Sequence, residues 1–247
     1  MQQSNAYIIA FATGLTIVLG GLLSITAVSL KDRQQREVKL ETRKQILSAV
    51  MNVEGKSKQE LSEIYDKRIA SITVNYDGEI IEDVVAEEVK VDKQYKLKPE
   101  DRNYPVFKFM SEADPNKLEA VIVPVYGFGL WDYIWGYVAL EENLSTVKGV
   151  SFDHKAETPG LGARITDSEI QQRYQGKNIY DQSGELVAVK MLKGESNSED
   201  KKDMNHIDGM SGATITGNGV NDMLKNYLTY YESYFKSLKG TSSMSSL

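Results

Sequence analysis

The stretch DGMSGATITGNGV, residues 208–220, leads directly into the most regular hydrophobic pattern of the chain. Apolar side chains recur there at positions i, i+3, i+4 and i+7, namely Val220, Met223, Leu224, Tyr227, Leu228, Tyr231 and Tyr234. This spacing predicts an amphipathic helix with one face in a core. Thr214 and Thr216 precede the predicted helix, and Asn218 is the residue expected to cap it.

The first seven residues of this stretch, Asp208 to Thr214, match the pattern D-x-x-[ST]-G-A-T. The pattern resembles the acceptor site for covalent flavin attachment, in which FMN is joined through its phosphate to the last threonine. Gly212 and Ala213 leave that hydroxyl accessible to a bulky nucleotide, and Gly212 permits backbone angles that other residues avoid. A phosphate ester on Thr214 would lie near a helix N-terminus, which favours an anion. The alternative interpretation is a glycine-containing turn with capping residues.

Composition excludes several classes of function. The chain has 247 residues, 41% hydrophobic and 26% charged, and a net charge of −6 that gives no support for nucleic-acid binding. It has no cysteine, which removes disulfides, thiolate metal sites and cysteine-ligated iron–sulfur clusters. With only two histidines, His154 and His206, we expect no metal site. The sequence has no P-loop motif, so it gives no support for nucleotide hydrolysis. A redox protein of this composition requires an organic cofactor.

The N-terminal segment has the length and polarity of a membrane span. Residues 6–30 are uncharged and mostly apolar, and every charged side chain of the protein follows them. A helix of this length extends about 37 Å, enough to cross a hydrocarbon core of about 30 Å with some tilt. The alternative is a cleaved signal peptide, but a basic n-region is missing and the apolar run is longer than an h-region. We therefore predict a retained single-span anchor.

The remaining patterns predict an α+β protein with a mainly antiparallel sheet. We divide the chain into an N-terminal tail (1–5), a transmembrane helix (6–30), a helical stalk broken at Gly55 (31–67), a folded domain (68–239) and a disordered tail (240–247). Within the domain we expect a hairpin that turns at Asp77 and Gly78 and returns over 79–85, strands over 120–126 and 130–141, and a strand over 186–192. Alternation predicts one strand face carrying Trp131, Tyr133, Trp135 and Tyr137, with sheet packing favoured over flavin stacking.

A second motif, HKAETPGLG at residues 154–162, lies between a predicted strand and a predicted helix. Proline followed by glycine is typical of a turn, and Gly162 allows a second close approach of backbone. Bare backbone with Glu157 and Thr158 offers hydrogen-bonding groups for a flat ring with polar edges. The alternatives are a plain connector and, for His154, a structural role; His154 and Glu157 lack a third ligand for a metal.

Taken together, these motifs resemble the covalent-FMN subunit, the C subunit, of the sodium-translocating NADH:quinone reductase. The resemblance rests on YGFGLWDYIWGYVAL (126–140), HKAETPGLG (154–162) and DGMSGATITGNGV (208–220), and the N-terminal anchor extends it over essentially the whole chain. The FMN-binding subunit of the Rnf electron-transport complex shares the ETPGLG and SGAT elements. Gly217 departs from the serine expected in the family, and basic residues are missing before the membrane helix.

The resemblance implies a role for each matching residue. Thr214 would be the site of phosphoester attachment of FMN, with Thr216 close to the cofactor. A flavin transferase that uses FAD would recognise Asp208, Ser211, Gly212 and Ala213. The isoalloxazine would be lined by Glu157, Thr158, Leu161 and Gly162. No residue is expected to be catalytic on its own, because the redox chemistry belongs to the cofactor.

The resemblance also implies partners and a location. The subunit would relay single electrons from an iron centre of the D and E membrane subunits to the flavin of the B membrane subunit, in a complex that oxidises NADH, reduces a quinone such as ubiquinone and moves sodium outward. The large domain would lie on the periplasmic side of the bacterial inner membrane. The positive-inside rule favours the opposite side, because six basic residues follow the span: Lys31, Arg33, Arg36, Lys39, Arg43 and Lys44.

Two alternatives follow from the same sequence. The first is the Rnf-type subunit, with the same flavin chemistry but with ferredoxin and NAD as the terminal partners. The second is a membrane-tethered binding domain without redox function, which predicts a colourless protein and an unmodified Thr214.

Overall fold

The computed structural model describes residues 4–196 and 203–244, and the chain divides after Thr42 into two compact units. The α-helices are α1 (Asn5–Ser48), α2 (Lys58–Arg68), α3 (Val91–Gln94), α4 (Ser168–Gln172) and α5 (Thr214–Met244). The strands are β1 (Ile69–Val74), β2 (Tyr104–Met110), β3 (Leu118–Phe128), β4 (Tyr133–Glu141), β5 (Val147–His154), β6 (Lys190–Met191) and β7 (His206–Ile207). Short 3-10 helices span Ala86–Glu88, Pro99–Asp101 and Gly162–Thr166.

The first unit is formed by the greater part of α1. This helix is long and apolar enough to cross a membrane, and the side chains of residues 6–30 are exposed. A run of exposed leucine, isoleucine and valine side chains without a protein partner is what a lipid environment stabilises. The long apolar helix predicted from the sequence is confirmed, while the limits 6 and 30 of the membrane segment remain a prediction.

The predicted stalk is divided between two helices. Helix α1 ends at Ser48, and α2 begins at Lys58 after a connection in which Gly55 has a φ of +74°. A capping box fixes the start of α2: the Ser57 hydroxyl accepts from the Glu60 amide at 3.2 Å, and the Glu60 carboxylate accepts from the Ser57 amide at 2.7 Å. The break expected at Gly55 therefore lies between α1 and α2.

The domain is built on a five-stranded antiparallel sheet in the order β1-β2-β3-β4-β5. Side chains alternate across it: Val121, Val123 and Val125 face a core that includes α5, whereas Ala120 and Ile122 face a second core. The end of α1 and helix α2 contribute to that second core. The pairing of Ile134 with His154 brings the residues after β5 to the same sheet end as the β3–β4 turn. The predicted α+β fold with an antiparallel sheet is confirmed.

Two predicted strands, 79–85 and 186–192, are much shorter in the structure than the sequence predicts. The segment 79–85 runs only briefly beside the outer edge of β1, with one bridge between Val74 and Ile80 and a hydrogen bond from the Ile81 amide to the Thr73 carbonyl at 2.8 Å. The predicted strand 186–192 is reduced to β6, since Ala188 has a φ of +60° and the amides of Val187 and Ala188 both donate to the Ile179 carbonyl. Strand β6 pairs in parallel with β7.

The C-terminal helix α5 buries the face that its periodicity predicts. Each apolar residue of the pattern, from Val220 to Tyr234, is at most 3% exposed. The helix begins earlier than predicted, at Thr214, and continues to Met244. The predicted disordered tail is therefore wrong for residues 240–244, because serine and threonine have only moderately low helix propensity and a helix is already in place before them. Residues 245–247 lie outside the described part of the chain.

Two buried tyrosines of α5 differ in how their hydroxyl groups are satisfied, and we expect them to respond differently to phenylalanine. The Tyr231 hydroxyl donates to the Pro105 carbonyl at 2.9 Å, whereas the buried Tyr234 hydroxyl has no partner among the described residues. Tyr231→Phe should lower the free energy of unfolding by about 1 kcal/mol, while Tyr234→Phe should leave it unchanged or raise it. Urea unfolding followed by circular dichroism measures both, and equal losses would contradict this assignment.

Candidate functional site

The motif at residues 208–214 connects β7 to α5, and its first residues are anchored through their backbone. The Gly209 amide donates to the Gly194 carbonyl at 2.8 Å. A Cβ at this position would lie 1.9 Å from the Leu192 carbonyl oxygen, so only glycine fits. The Arg173 guanidinium donates to the carbonyl of Gly209 at 2.7 Å and to that of Asp208 at 3.4 Å. The start of the motif is therefore held through its backbone.

The second half of the motif turns outward into the helix. The Ala213 amide donates to the Met210 carbonyl at 3.1 Å, and both side chains are buried. Between them Ser211 and Gly212 are exposed, and Gly212 has a φ of +76°, a conformation that favours glycine. This turn brings Thr214 to the surface, where its side chain is partly exposed.

Thr214 is the first residue of α5, and the helix therefore starts four residues before the predicted cap. The Ala213 carbonyl already accepts from the Gly217 amide at 2.9 Å, which is the first bond of the helix. The prediction that Asn218 caps the helix is wrong, because Asn218 lies inside it. The amide groups of the first turn lack partners within the helix, and with the helix dipole they favour a negative group on the Thr214 hydroxyl.

The Glu157 carboxylate joins three segments of the chain around this helix start. One oxygen, Oε1, accepts from the amides of Leu130 at 2.8 Å and Trp131 at 3.0 Å in the β3–β4 turn. The other, Oε2, accepts from the buried Thr216 hydroxyl at 2.6 Å. The Glu157 amide in turn donates to Nδ1 of His154 at 3.2 Å. Glu157 is only 4% exposed, so its carboxylate is a buried group with a full set of donors.

Two glycines leave the space that this carboxylate occupies. A Cβ on Gly129 would lie 2.4 Å from Glu157 Oε1. A Cβ on Gly162 would lie 2.4 Å from Glu157 Oε2 and equally close to the Thr216 hydroxyl. A side chain at either position would displace the carboxylate from its hydrogen-bond donors, which accounts for the last glycine of the 154–162 motif.

Hydrogen bonding keeps Glu157 ionised despite its burial. Burial by itself raises the pKa of a carboxyl group. In Glu157 the hydrogen bonds from the Thr216 hydroxyl and from the amides of Trp131 and Leu130 outweigh burial, and they hold the pKa below its ordinary value. The site therefore contains a fixed negative charge at neutral pH.

Large apolar side chains remain exposed on the segments that meet here. They are Phe128 (50% exposed), Leu130 (38%), Trp131 (63%), Leu161 (41%) and Ile215 (58%). The Trp131 indole N–H donates to the Thr158 hydroxyl at 3.1 Å, which fixes the ring beside the 154–162 motif. Leu161 lies against Gly212, since a Cβ there would be 2.9 Å from Leu161 Cδ2. Exposed apolar groups in one region indicate a binding surface for an apolar group.

A charged cluster flanks the other side of the 208–214 motif. Glu195 forms ion pairs with Arg164 at 2.8 Å and with Arg173 at 3.7 Å. The pKa of Glu195 is held below its ordinary value, first by its hydrogen bond to Arg164 and also by one to the Ser211 hydroxyl. Through Arg173, this cluster also anchors the start of the motif.

The residues predicted for the site are brought together, although not all in the expected roles. Leu161 lies against Gly212 and Gly162 lies against Thr216, while the Thr158 hydroxyl accepts from the Trp131 indole. Glu157 and Thr216 are buried and hydrogen-bonded to each other, so in this structure their side chains connect chain segments beside the site. The sequence patterns did not identify Arg173 and Glu195 or the exposed Trp131, which lies in the β3–β4 turn rather than on the strand face. Within the described residues no group of three or more histidine, aspartate or glutamate side chains is arranged for a metal.

The candidate site consists of a partly exposed threonine at a helix N-terminus and exposed apolar side chains on the neighbouring segments. Comparison with known families shows that residues 129–229 match the FMN-binding domain. That range contains the β3–β4 turn, the 154–162 motif and Thr214. The chain therefore has an FMN-binding domain.

Proteins similar over nearly the full length give the particular family. The chain is 30% identical to the C subunit of the Na(+)-translocating NADH-quinone reductase of Pseudomonas aeruginosa, over 92% of each chain. It is 30% identical to the corresponding protein of Vibrio parahaemolyticus, over 84% of each chain. The crystal structure of the C subunit from Parabacteroides distasonis is similar at a TM-score of 0.71 and 33% identity, covering 83% of this chain and 96% of that one. That of Shewanella oneidensis NqrC has a TM-score of 0.71 at 29% identity, over 82% and 98%.

The chain belongs to the family of the C subunits of the Na(+)-translocating NADH-quinone reductase. It is thus a membrane-associated subunit of an oxidoreductase complex, and other subunits of that complex are its partners.

Proposed function

We infer that this chain carries FMN in phosphoester linkage to Thr214 and relays single electrons within the sodium-pumping complex. The observation that carries the proposal is the position of the Thr214 hydroxyl, which is partly exposed at the first residue of α5 after a turn that only glycine readily adopts at position 212. Thr216 is buried against Glu157, and of the two accessible hydroxyl groups of the motif only that of Thr214 lies on the first residue of α5, where the helix N-terminus favours an anion.

Attachment would be a phosphoryl transfer in which the Thr214 oxygen attacks the FMN phosphorus of FAD. A phosphorus–oxygen bond to threonine forms, the pyrophosphate bond breaks, AMP leaves and the hydroxyl proton is lost. A flavin transferase would supply the catalytic groups, with Asp208, Ser211, Gly212 and Ala213 as its recognition sequence. The free amides of the first turn of α5 then stabilise the phosphodiester anion.

The residues around Thr214 suit the rest of the cofactor. The exposed faces of Trp131 and Leu161 offer an apolar surface to the flat ring, while Thr158 and the bare backbone at Gly162 offer polar contacts at its edge. Bound flavin supplies the exchange of single electrons, and the protein fixes its position and surroundings. A covalent link retains a cofactor that an exposed surface would otherwise lose by dissociation.

The specific partners belong to the same proposal. Electrons would pass from an iron centre in the D and E membrane subunits to the flavin of the B membrane subunit, with the domain on the periplasmic side. The basic residues after the span favour the cytoplasmic side, but the family resemblance outweighs this charge count because large domains are translocated largely regardless of it. The relatives described above all belong to the quinone reductase, which supports that complex over an Rnf-type one.

Peptide mapping of the protein purified from its native membrane tests the attachment. Tryptic cleavage at Lys202 and Lys225 gives the peptide 203–225, whose hydroxyl side chains are Ser211, Thr214 and Thr216. We expect this peptide to gain the mass of FMN minus water, with fragment ions that assign the addition to Thr214. An unmodified peptide from cells that contain the transferase would contradict the proposal and favour the non-redox binding domain.

A further inference from the structure

The Glu157 carboxylate carries a charge that its hydrogen bonds do not neutralise. Its three donors are two backbone amides and one hydroxyl, all of them uncharged groups. No lysine or arginine forms an ion pair with it among the described residues, and the neighbouring Lys155 is paired with Asp132 at 3.0 Å. A buried negative charge without a counter-ion is costly to maintain, because the interior screens it poorly.

A neutral glutamine at position 157 has nearly the same shape, and its side-chain oxygen would accept hydrogen bonds from the amides of Leu130 and Trp131 as the carboxylate does. The hydrogen bonds that join the three chain segments at residue 157 therefore do not by themselves require a charged side chain. The charge lies directly under the backbone of Trp131, and it is bonded to Thr216, two residues beyond Thr214 on the first turn of α5. Any redox group held on this surface would experience its field.

We propose that Glu157 is a fixed negative charge that lowers the reduction potential of the flavin held at this site. The inference rests on the proposed function, because it needs a flavin on Thr214. The physical reason is that a reduced flavin carries more negative charge than an oxidised one, so a neighbouring carboxylate disfavours the uptake of an electron. Glu157 acts here through its field and its position, without touching the reacting atoms.

Redox titration of the flavin-loaded full-length protein tests this with two variants. Glu157→Gln removes the charge and keeps the shape, and we expect its midpoint potential to move to more positive values. Thr216→Val keeps the charge and removes one of its three hydrogen bonds, and we expect a much smaller shift at pH 8. Equal shifts in the two variants would show that loosened packing, rather than charge, sets the potential, and would overturn the proposal.

A measurement on Thr216→Val does not depend on the folding of the glutamine variant. Loss of the Thr216 donor raises the pKa of Glu157, so lowering the pH from 8 to 5 should raise the midpoint potential more steeply than in the wild type. His154, Asp132 and Lys155, the other titratable groups at this carboxylate and its turn, are present in both proteins and cancel in the comparison. Identical slopes would contradict the proposal.

Failure of the proposed function and failure of this charge effect give different results. If peptide 203–225 of the wild type carries no flavin, the proposed function is wrong and the charge effect is wrong with it. If the peptide is modified and Glu157→Gln titrates at the wild-type potential, only the charge effect is wrong.

Discussion

Replacing Thr214 by valine is expected to abolish covalent flavin attachment while the domain remains folded. Valine has nearly the shape of threonine but has no hydroxyl to attack the flavin phosphate. The side chain is partly exposed at the first position of α5, and its hydroxyl forms no hydrogen bond in the described structure, so its removal should change the free energy of unfolding by only about 0.5 kcal/mol. In-gel flavin fluorescence under denaturing conditions, with intact mass, measures attachment, and circular dichroism measures folding.

Two control variants define which hydroxyl matters. Thr216→Val removes a hydroxyl from the same peptide but leaves Thr214 in place, and we expect this variant to be modified. Thr214→Ser keeps a hydroxyl at the attachment position and is expected to retain modification, at a lower level because the side chain is less constrained. A yellow Thr214→Val protein whose flavin survives denaturation would show that another residue is the attachment site.

The parts of the fold that the sequence predicts well depend on local patterns. The period of α5 identified its buried face from Val220 to Tyr234, since every third or fourth residue must meet the same core. The continuous apolar run at 120–126 and the alternation in 130–141 indicated β3 and β4 in the same local way. Both elements are long and regular, and each carries its own signal in consecutive residues.

The parts that were predicted wrongly depend on contacts between distant residues. The turn at Asp77 and Gly78 forms, but the segment after it makes only one bridge to β1, and the strand that pairs along the whole of β1 is β2. Gly78 lies against α5, where a Cβ would be 2.5 Å from the Tyr234 amide nitrogen. That glycine therefore allows close packing with a helix more than 150 residues away in sequence, which a turn pattern does not reveal.

The candidate site also combines features predicted from local sequence with features that depend on contacts between distant residues. Thr214 is predicted as the attachment residue from consecutive residues with their own chemistry, and its place at the start of α5 is compatible with that prediction. The role of Glu157 was not predicted, because its partners at Leu130, Trp131 and Thr216 are separated from it by 27, 26 and 59 residues. A glutamate between a histidine and a proline-glycine turn looks like a surface residue in sequence, and only the approach of three segments makes it a buried charge.

Removing the first unit is expected to turn the protein into a soluble domain, provided that the cut leaves the end of α1 in place. A chain of residues 43–247 keeps Ile46, Leu47 and Ala49, which are at most 2% exposed and belong to the second core of the sheet. It loses the apolar helix that is long enough to span a membrane. We expect this chain to be monodisperse without detergent and to unfold cooperatively.

A chain of residues 53–247 is the matched comparison, because it differs only in losing the last turn of α1 and the four residues after it. Burial of an isoleucine or leucine side chain contributes about 1.5–3 kcal/mol, so loss of Ile46 and Leu47 should lower the free energy of unfolding by roughly 3–6 kcal/mol. Each kcal/mol corresponds to about 2–4 °C in a domain of this size, so the melting temperature should fall by roughly 6–24 °C. Equal melting temperatures for the two chains would mean that the sheet keeps its second core without α1, and that the helix end contributes nothing to the stability of the flavin-binding domain.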